Sequence, residues 1–160
     1  MKELHIYGSS SKIRLVGEVI SPSIGLNYFP IYYPDVNYWL WMDNIFWGNC
    51  IYEILVHDKT RMMNGDIKVP YFWFEPNVTL MGCCSTATFA IDWAIKLGCE
   101  RVYLYGIFDD DYIIEGDYVI WQQFYKPKPI KFPLNKFKLV EQFIEECKEK
   151  IEIIQPFKKR

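Results

Sequence analysis

A chain of 160 residues, 51% apolar and 24% charged, has the size and composition of one soluble globular domain spanning residues 1–160. A net charge of −2 excludes a protein that grips nucleic acid over its whole surface, and no apolar run reaches the ~20 residues of a membrane span. "MKELHIYG" lacks the marks of an export signal, so the five cysteines are expected as cytosolic thiols; no Cys/His cluster has zinc-site spacing.

The first predicted element is a strand at residues 4–8, "LHIYG", closed by glycine and three serines. "SKIRLVGEVI" follows as a short helix. "IGLNYFP" and "VNYWLWMD" are strands two and three, rich in aromatic and apolar residues and bounded by prolines. "NCIYEILVHDK" has helical spacing, and "IKVPYFWF" is a fourth strand candidate that Pro70 either weakens or confines to a place at the strand's start. Residues 85–97 form a helix that Ser85 or Thr86 caps and Gly98 terminates. Thr88, Asp92 and Lys96 make its only polar stripe, with Asp92 placed to pair with Lys96. A helix this apolar packs on a sheet and can also face a second protomer, so a homo-oligomer is one expected partner. "RVYLYGI" is the continuous apolar run of an interior parallel strand. "FKLVEQFIEECKEK" is an amphipathic helix and "IEIIQPF" a closing strand. Strands alternating with helices predict a three-layer α/β fold around a mostly parallel sheet of about six strands.

Ligands of such sheets sit beyond the carboxyl ends of the strands, where helix N-termini also point. Three loops should meet there: "GSSSK" (8–12), "GCCSTAT" (82–88) and "YGIFDD" (105–110). The first two offer hydroxyls and backbone N–H groups suited to an anion. The third offers Asp109, Asp110 and Asp111, suited to ribose hydroxyls, an amine or a divalent metal accompanying a nucleotide. Each has a plainer reading as well: strand-to-helix punctuation, helix caps and a solvated acidic loop.

Other features are equally two-sided. His57–Asp58 is either an oriented base or a C-terminal helix charge. The cysteines suit buried packing better than nucleophilic chemistry, having no partner histidine in a recognisable arrangement. Tyr28, Phe29, Tyr32, Tyr33, Tyr38, Trp39, Trp41, Phe46 and Trp47 are core or interface rings that can also stack on a base. "YKPKPIKFPLNKFK" carries Lys126, Lys128, Lys131, Lys136 and Lys138, either as a phosphate-reaching surface or as a proline-stiffened crossing, and it is the candidate mobile element.

"CCSTATFAIDWAIKLGCERVYLYGIFD" resembles the segment T-S-G-x-x-x-x-x-x-A-x-x-L-G-x-x-x-I-Y-L-x-G-I/F-D of bacterial sialyltransferases of lipooligosaccharide synthesis. It is similar also to motility-associated glycosyltransferases and archaeal 6-hydroxymethylpterin diphosphokinase-like proteins. "LHIYGSSSKIRL" resembles their first strand and glycine loop, "GLNYFP" their second strand with its asparagine, and "VNYWLWMDN" their third. The resemblance implies a Rossmann-like fold that binds a nucleotide, in the sialyltransferases a cytidine monophosphate sugar. By position it places Gly8, Ser9 and Ser10 beside phosphate, Asn27 near nucleotide or sugar, and Ser85 and Thr86 near phosphate or ribose. Serines stand where the family has a second glycine and a proline, and Phe108 separates Gly-Ile from Asp109. "YFWFEPNVTLMG" lacks the family's general-base histidine, and Glu75 is the nearby substitute.

The expected function is a nucleotide-binding transferase, glycosyltransferase-like, using a nucleotide or nucleotide sugar as donor. Asp43, Glu75 and Asp109 are the candidate bases. Gly8, Ser9, Ser10, Asn27, Ser85, Thr86 and Gly106 are the candidate substrate-binding residues. Neither membrane nor nucleic acid is an expected partner. The alternatives are a non-catalytic Rossmann-like module binding a nucleotide-like ligand or a protein, and a structural subunit assembling through its aromatic surface.

Overall fold

The computed structural model of the chain describes residues 2–40, 85–109 and 111–158. In chain order these form β1 (Glu3–Tyr7), a 3-10 helix (Ser11–Leu15), β2 (Ser23–Leu26), α1 (Phe29–Tyr32), β3 (Tyr38–Leu40), α2 (Thr86–Lys96) and β4 (Arg101–Tyr105). They continue with β5 (Tyr112–Glu115), β6 (Tyr118–Trp121), β7 (Ile130–Pro133), α3 (Leu134–Cys147) and β8 (Glu152–Ile154). Five strands make a wholly parallel sheet in the order β3-β2-β1-β4-β8. The connections reverse direction between β1 and β4, which is the switch point of a Rossmann-like sheet.

Alternation along the central strands sorts two unlike layers. Leu4 and Ile6 of β1 and Val102 and Leu104 of β4 join an aliphatic core with Phe89, Ala90, Ile91 and Ala94 of α2 and Val140 and Ile144 of α3. On the opposite side Tyr7 and Tyr105 join Ile13, Phe29 and Trp39 beneath the 3-10 helix and α1. There the rings stack, Tyr7 on Tyr105 at 4.5 Å and on Phe29 at 4.8 Å between centroids. Trp41, Phe46 and Trp47 of the predicted aromatic run lie outside the described residues.

The buried helix forms for the reasons its residues suggest. Ser85 accepts from the Thr88 N–H while Thr88 Oγ1 accepts from the Ser85 N–H, a reciprocal capping box. Gly98 takes φ 79, the left-handed conformation of a helix terminator. Asp92 and Lys96 pair at 2.8 Å. That i,i+4 pair, with Lys96 half-exposed and Asp92 buried, contributes about 0.5 kcal/mol, against roughly 1.5–3 kcal/mol for burying each of Phe89 and Ile91, so packing holds the helix in place.

Several expectations need correcting. The helix expected over residues 11–20 is a single 3-10 turn over Ser11–Leu15, because Gly17 and Pro22 follow too closely to extend it. The second strand stops at Leu26: Asn27 turns left-handed (φ 54), and the "FP" of the expected strand opens α1 instead. The largest departure is a separate antiparallel sheet, β5-β6-β7. Tyr112 pairs with Trp121 and Glu115 with Tyr118 around a Gly116–Asp117 turn, with Gly116 at φ 58. The lysine-rich stretch is thus no simple crossing: Ile130–Pro133 is the third strand of this sheet, and α3 starts directly behind it. The predicted helix at 49–59, the strand at 67–74 and His57–Asp58 lie outside the described residues. No described helix is long and apolar enough to cross a membrane.

Candidate functional site

At the carboxyl end of the parallel sheet lies a cleft of about 240 Å³. Among the described residues its lining is of two kinds: Gly8, Ser9, Asn27, Ser85, Thr86, Ala87 and Gly106 bring hydroxyls, an amide and backbone, and Leu26, Ile107, Phe108, Trp121, Ile130 and Phe132 bring apolar side chains. Six of the predicted binding residues therefore share one hollow: Gly8, Ser9, Asn27, Ser85, Thr86 and Gly106. Asp43 and Glu75 lie outside the described residues, as do Gly82, Cys83 and Cys84 of the second loop. Ser10 and Asp109 line a smaller void beside the cleft.

The loop after β1 is held by its own backbone. The Gly8 N–H donates to Tyr105 O at 2.8 Å, and the N–H groups of Ser9 and Ser10 both donate to Gly106 O, at 3.2 and 3.1 Å. Ser11 donates to Gln122 O at 2.8 Å and Phe124 donates back to Ser9 O at 3.1 Å, so the chain beyond β6 runs antiparallel beside this loop. With these donors engaged, residues 8–11 are not an open backbone cradle for an anion. What this loop turns to the cleft is the Ser9 residue and the bare backbone of Gly8. A side chain at Gly8 would come within 2.6 Å of Ile107 Cγ1 and 2.7 Å of Gly106 O, which is why the two loops can lie this close.

Open donors sit instead at the start of α2. The capping box engages the N–H groups of Ser85 and Thr88, and Phe89 donates to Ser85 O, whereas the N–H groups of Thr86 and Ala87 have no hydrogen-bond partner among the described residues. These donors face away from the helix along its positive end, the favoured position for negative charge. Thr86 Oγ1 approaches Asn27 Oδ1 at 3.5 Å. Asn27 is fixed from both sides, its N–H donating to Leu40 O at 3.0 Å and its carbonyl accepting from Trp39 Nε1 at 2.6 Å.

The apolar wall was not foreseen as part of the site. Trp121, Ile130 and Phe132 come from the antiparallel sheet, and Trp121 packs against Phe132 and, edge-on, against Phe108. The signal for this sheet was present: the apolar runs Tyr112–Ile114 and Tyr118–Trp121 lie on either side of Gly116–Asp117, a two-residue hairpin turn. Phe108 itself takes φ 49, a conformation that costs a non-glycine residue about 1 kcal/mol or more.

Behind Phe108 and Trp121 lies the acidic void, of about 10 Å³, lined also by Ser10, Asp109, Asp111, Tyr112 and Phe137. Asp109 is 1% exposed. Its Oδ2 accepts from Ser10 Oγ at 3.3 Å, while Asp111 Oδ2 accepts from Ser11 Oγ at 2.9 Å. Burial first, then the neighbouring Asp111, pushes the Asp109 carboxyl up to about 6, against the opposing pull of Lys12 and the hydrogen bonds from Ser10 and Gly106. No group of three or more potential metal ligands occurs among the described residues.

The chain matches no protein-family model, no curated protein and no solved structure.

Proposed function

We propose that the cleft binds a nucleotide, or the nucleotide part of a nucleotide sugar, and that the chain is a transferase drawing on it. The supporting observation is that polar groups and aromatic rings line one cleft at the switch point of the sheet. The open N–H groups of Thr86 and Ala87 and the hydroxyls of Ser9, Ser85 and Thr86 suit a phosphate. In the same cleft Trp121, Phe132 and Phe108 suit a flat ring, which every base presents. Asn27 lines the cleft beside Thr86, with a side-chain amide suited to ribose or base edges. At about 240 Å³ the cleft is slightly below the roughly 300–1,000 Å³ of common small-molecule sites, so it suits the nucleotide with any further group projecting outward.

For sugar transfer, the positive end of α2 would stabilise the nucleotide phosphate as it departs from the sugar. The acceptor hydroxyl would need a base. Asp109, the base candidate within the described residues, lines the side void and not the cleft. That placement favours a second reading, a module that binds its nucleotide without turning it over.

A thermal-shift screen against mononucleotides and nucleotide sugars, followed by product analysis over hours, tests both readings. Stabilisation with turnover is expected for the transferase and stabilisation alone for the module; a flat response across the panel contradicts both.

A further inference from the structure

We propose that Asp109 and Asp111 hold one hard divalent cation, of the magnesium or manganese kind, behind the loop that follows β1. Three observations meet at this point. Asp109 is 1% exposed, yet its Oδ1 has no hydrogen-bond partner among the described residues. The carboxylate lines a void of about 10 Å³, the size of a single water or ion. A second carboxylate, Asp111, lines the same void, with one oxygen accepting from Ser11 Oγ at 2.9 Å.

A buried carboxylate oxygen without a partner is costly, and a like charge beside it adds to the cost. Neither acid forms a salt bridge with a described residue, and the ammonium of Lys12, in the same loop as Ser10 and Ser11, donates to Phe157 O at 2.7 Å. A water in the void would satisfy Oδ1 but leave the two acids repelling each other. A divalent cation satisfies the oxygen and neutralises the pair together. The donor set fits an oxygen-seeking ion: one oxygen from each carboxylate and the Ser10 hydroxyl. The remaining positions go to water, reached from the side of Asp111, which is only half-buried. The void and the nucleotide cleft share Phe108 and Trp121 as a partition, so cation binding stands apart from the nucleotide proposal.

The test uses the full chain stripped with EDTA and titrated with manganese alone, free manganese being followed by electron paramagnetic resonance. About one equivalent of saturable binding is expected, displaced by magnesium, with a loss of at least about tenfold in affinity in Asp109→Asn and in Asp111→Asn. Asn27→Ala and Thr86→Ala, which alter residues of the cleft that do not line the void, should leave manganese binding unchanged, so failure of the nucleotide reading would not be mistaken for failure of this one. Asp111→Asn, at the half-buried position, carries the test if Asp109→Asn does not fold. Absence of saturable binding, or full retention of it in a folded variant of either acid, overturns the proposal and leaves the void to a water.

Discussion

Ser10 Oγ donates to Asp109 Oδ2 at 3.3 Å, joining the loops after β1 and β4 although the two residues lie 99 positions apart. This long bond is the only hydrogen bond a described side chain gives to a buried carboxyl whose proton affinity is raised to about 6 from an ordinary 3.8. The sign of the resulting pH dependence follows. The folded chain holds the Asp109 proton more tightly than the unfolded chain, so this group's contribution is most favourable below about pH 4 and is lost as pH rises to about 6. Moving the carboxyl from 3.8 to about 6 corresponds to roughly 2–3 kcal/mol. In EDTA, wild type should therefore be less stable than Asp109→Asn at pH 7 by up to that amount, with the gap closing towards pH 4. Chemical denaturation at both pH values checks it; a constant gap would contradict it.

Gly106→Ala should cost about 2–4 kcal/mol, combining a left-handed backbone with overpacking of the core. Gly106 has φ 66, and an added Cβ would lie 2.6 Å from Cδ1 and Cγ1 of the fully buried Ile13. Gly98→Ala is the control: φ is 79 but the space around it is open, so about 1 kcal/mol is expected. Equal losses in the two variants by urea unfolding would show that Ile13 moves aside.

At Ser85, stability and binding should separate. Ser85→Ala removes the cap of α2 and should cost about 1 kcal/mol. Ser85→Asp retains a capping oxygen and complements the helix dipole, so stability should stay within about 0.5 kcal/mol of wild type. The same carboxylate confronts a ligand phosphate, and nucleotide affinity should fall at least about tenfold. Thermal unfolding and a binding titration on one preparation check both.

Trp121→Ala should weaken nucleotide binding by about 1–3 kcal/mol, the range for a lost base–aromatic stack, while leaving affinity for inorganic phosphate unchanged. Equal losses for both ligands would mean that Trp121 acts through the fold and not through a stacked ring.

What was legible in the residues was mostly local or periodic. The Ser85 cap, the Gly98 terminator and the Asp92–Lys96 pair all act within a few positions of chain, and each is in place. The apolar runs of β1 and β4 announced buried parallel strands, and a parallel sheet puts their following loops at one rim. Less was legible where distant partners decide. Loop 8–11 has the composition of an anion cradle, but Gly106 O and Gln122 O, far along the chain, take its donors. Lysine and proline masked β7, whose strand character comes from pairing with β6. The wall of Trp121, Ile130 and Phe132 went unseen for the same reason. Asn27 was placed near the ligand by resemblance alone, and its left-handed turn after β2 is what brings it to the cleft.

Titration calorimetry of the chain with cytidine, uridine, adenosine and guanosine nucleotides tests the central claim most directly. Saturable binding of at least one nucleotide at one equivalent is predicted, abolished or weakened at least about tenfold in Ser85→Asp and weakened in Trp121→Ala. No saturable heat for any of them at millimolar concentration, or an affinity that neither substitution changes, would contradict a nucleotide site between α2 and the antiparallel sheet.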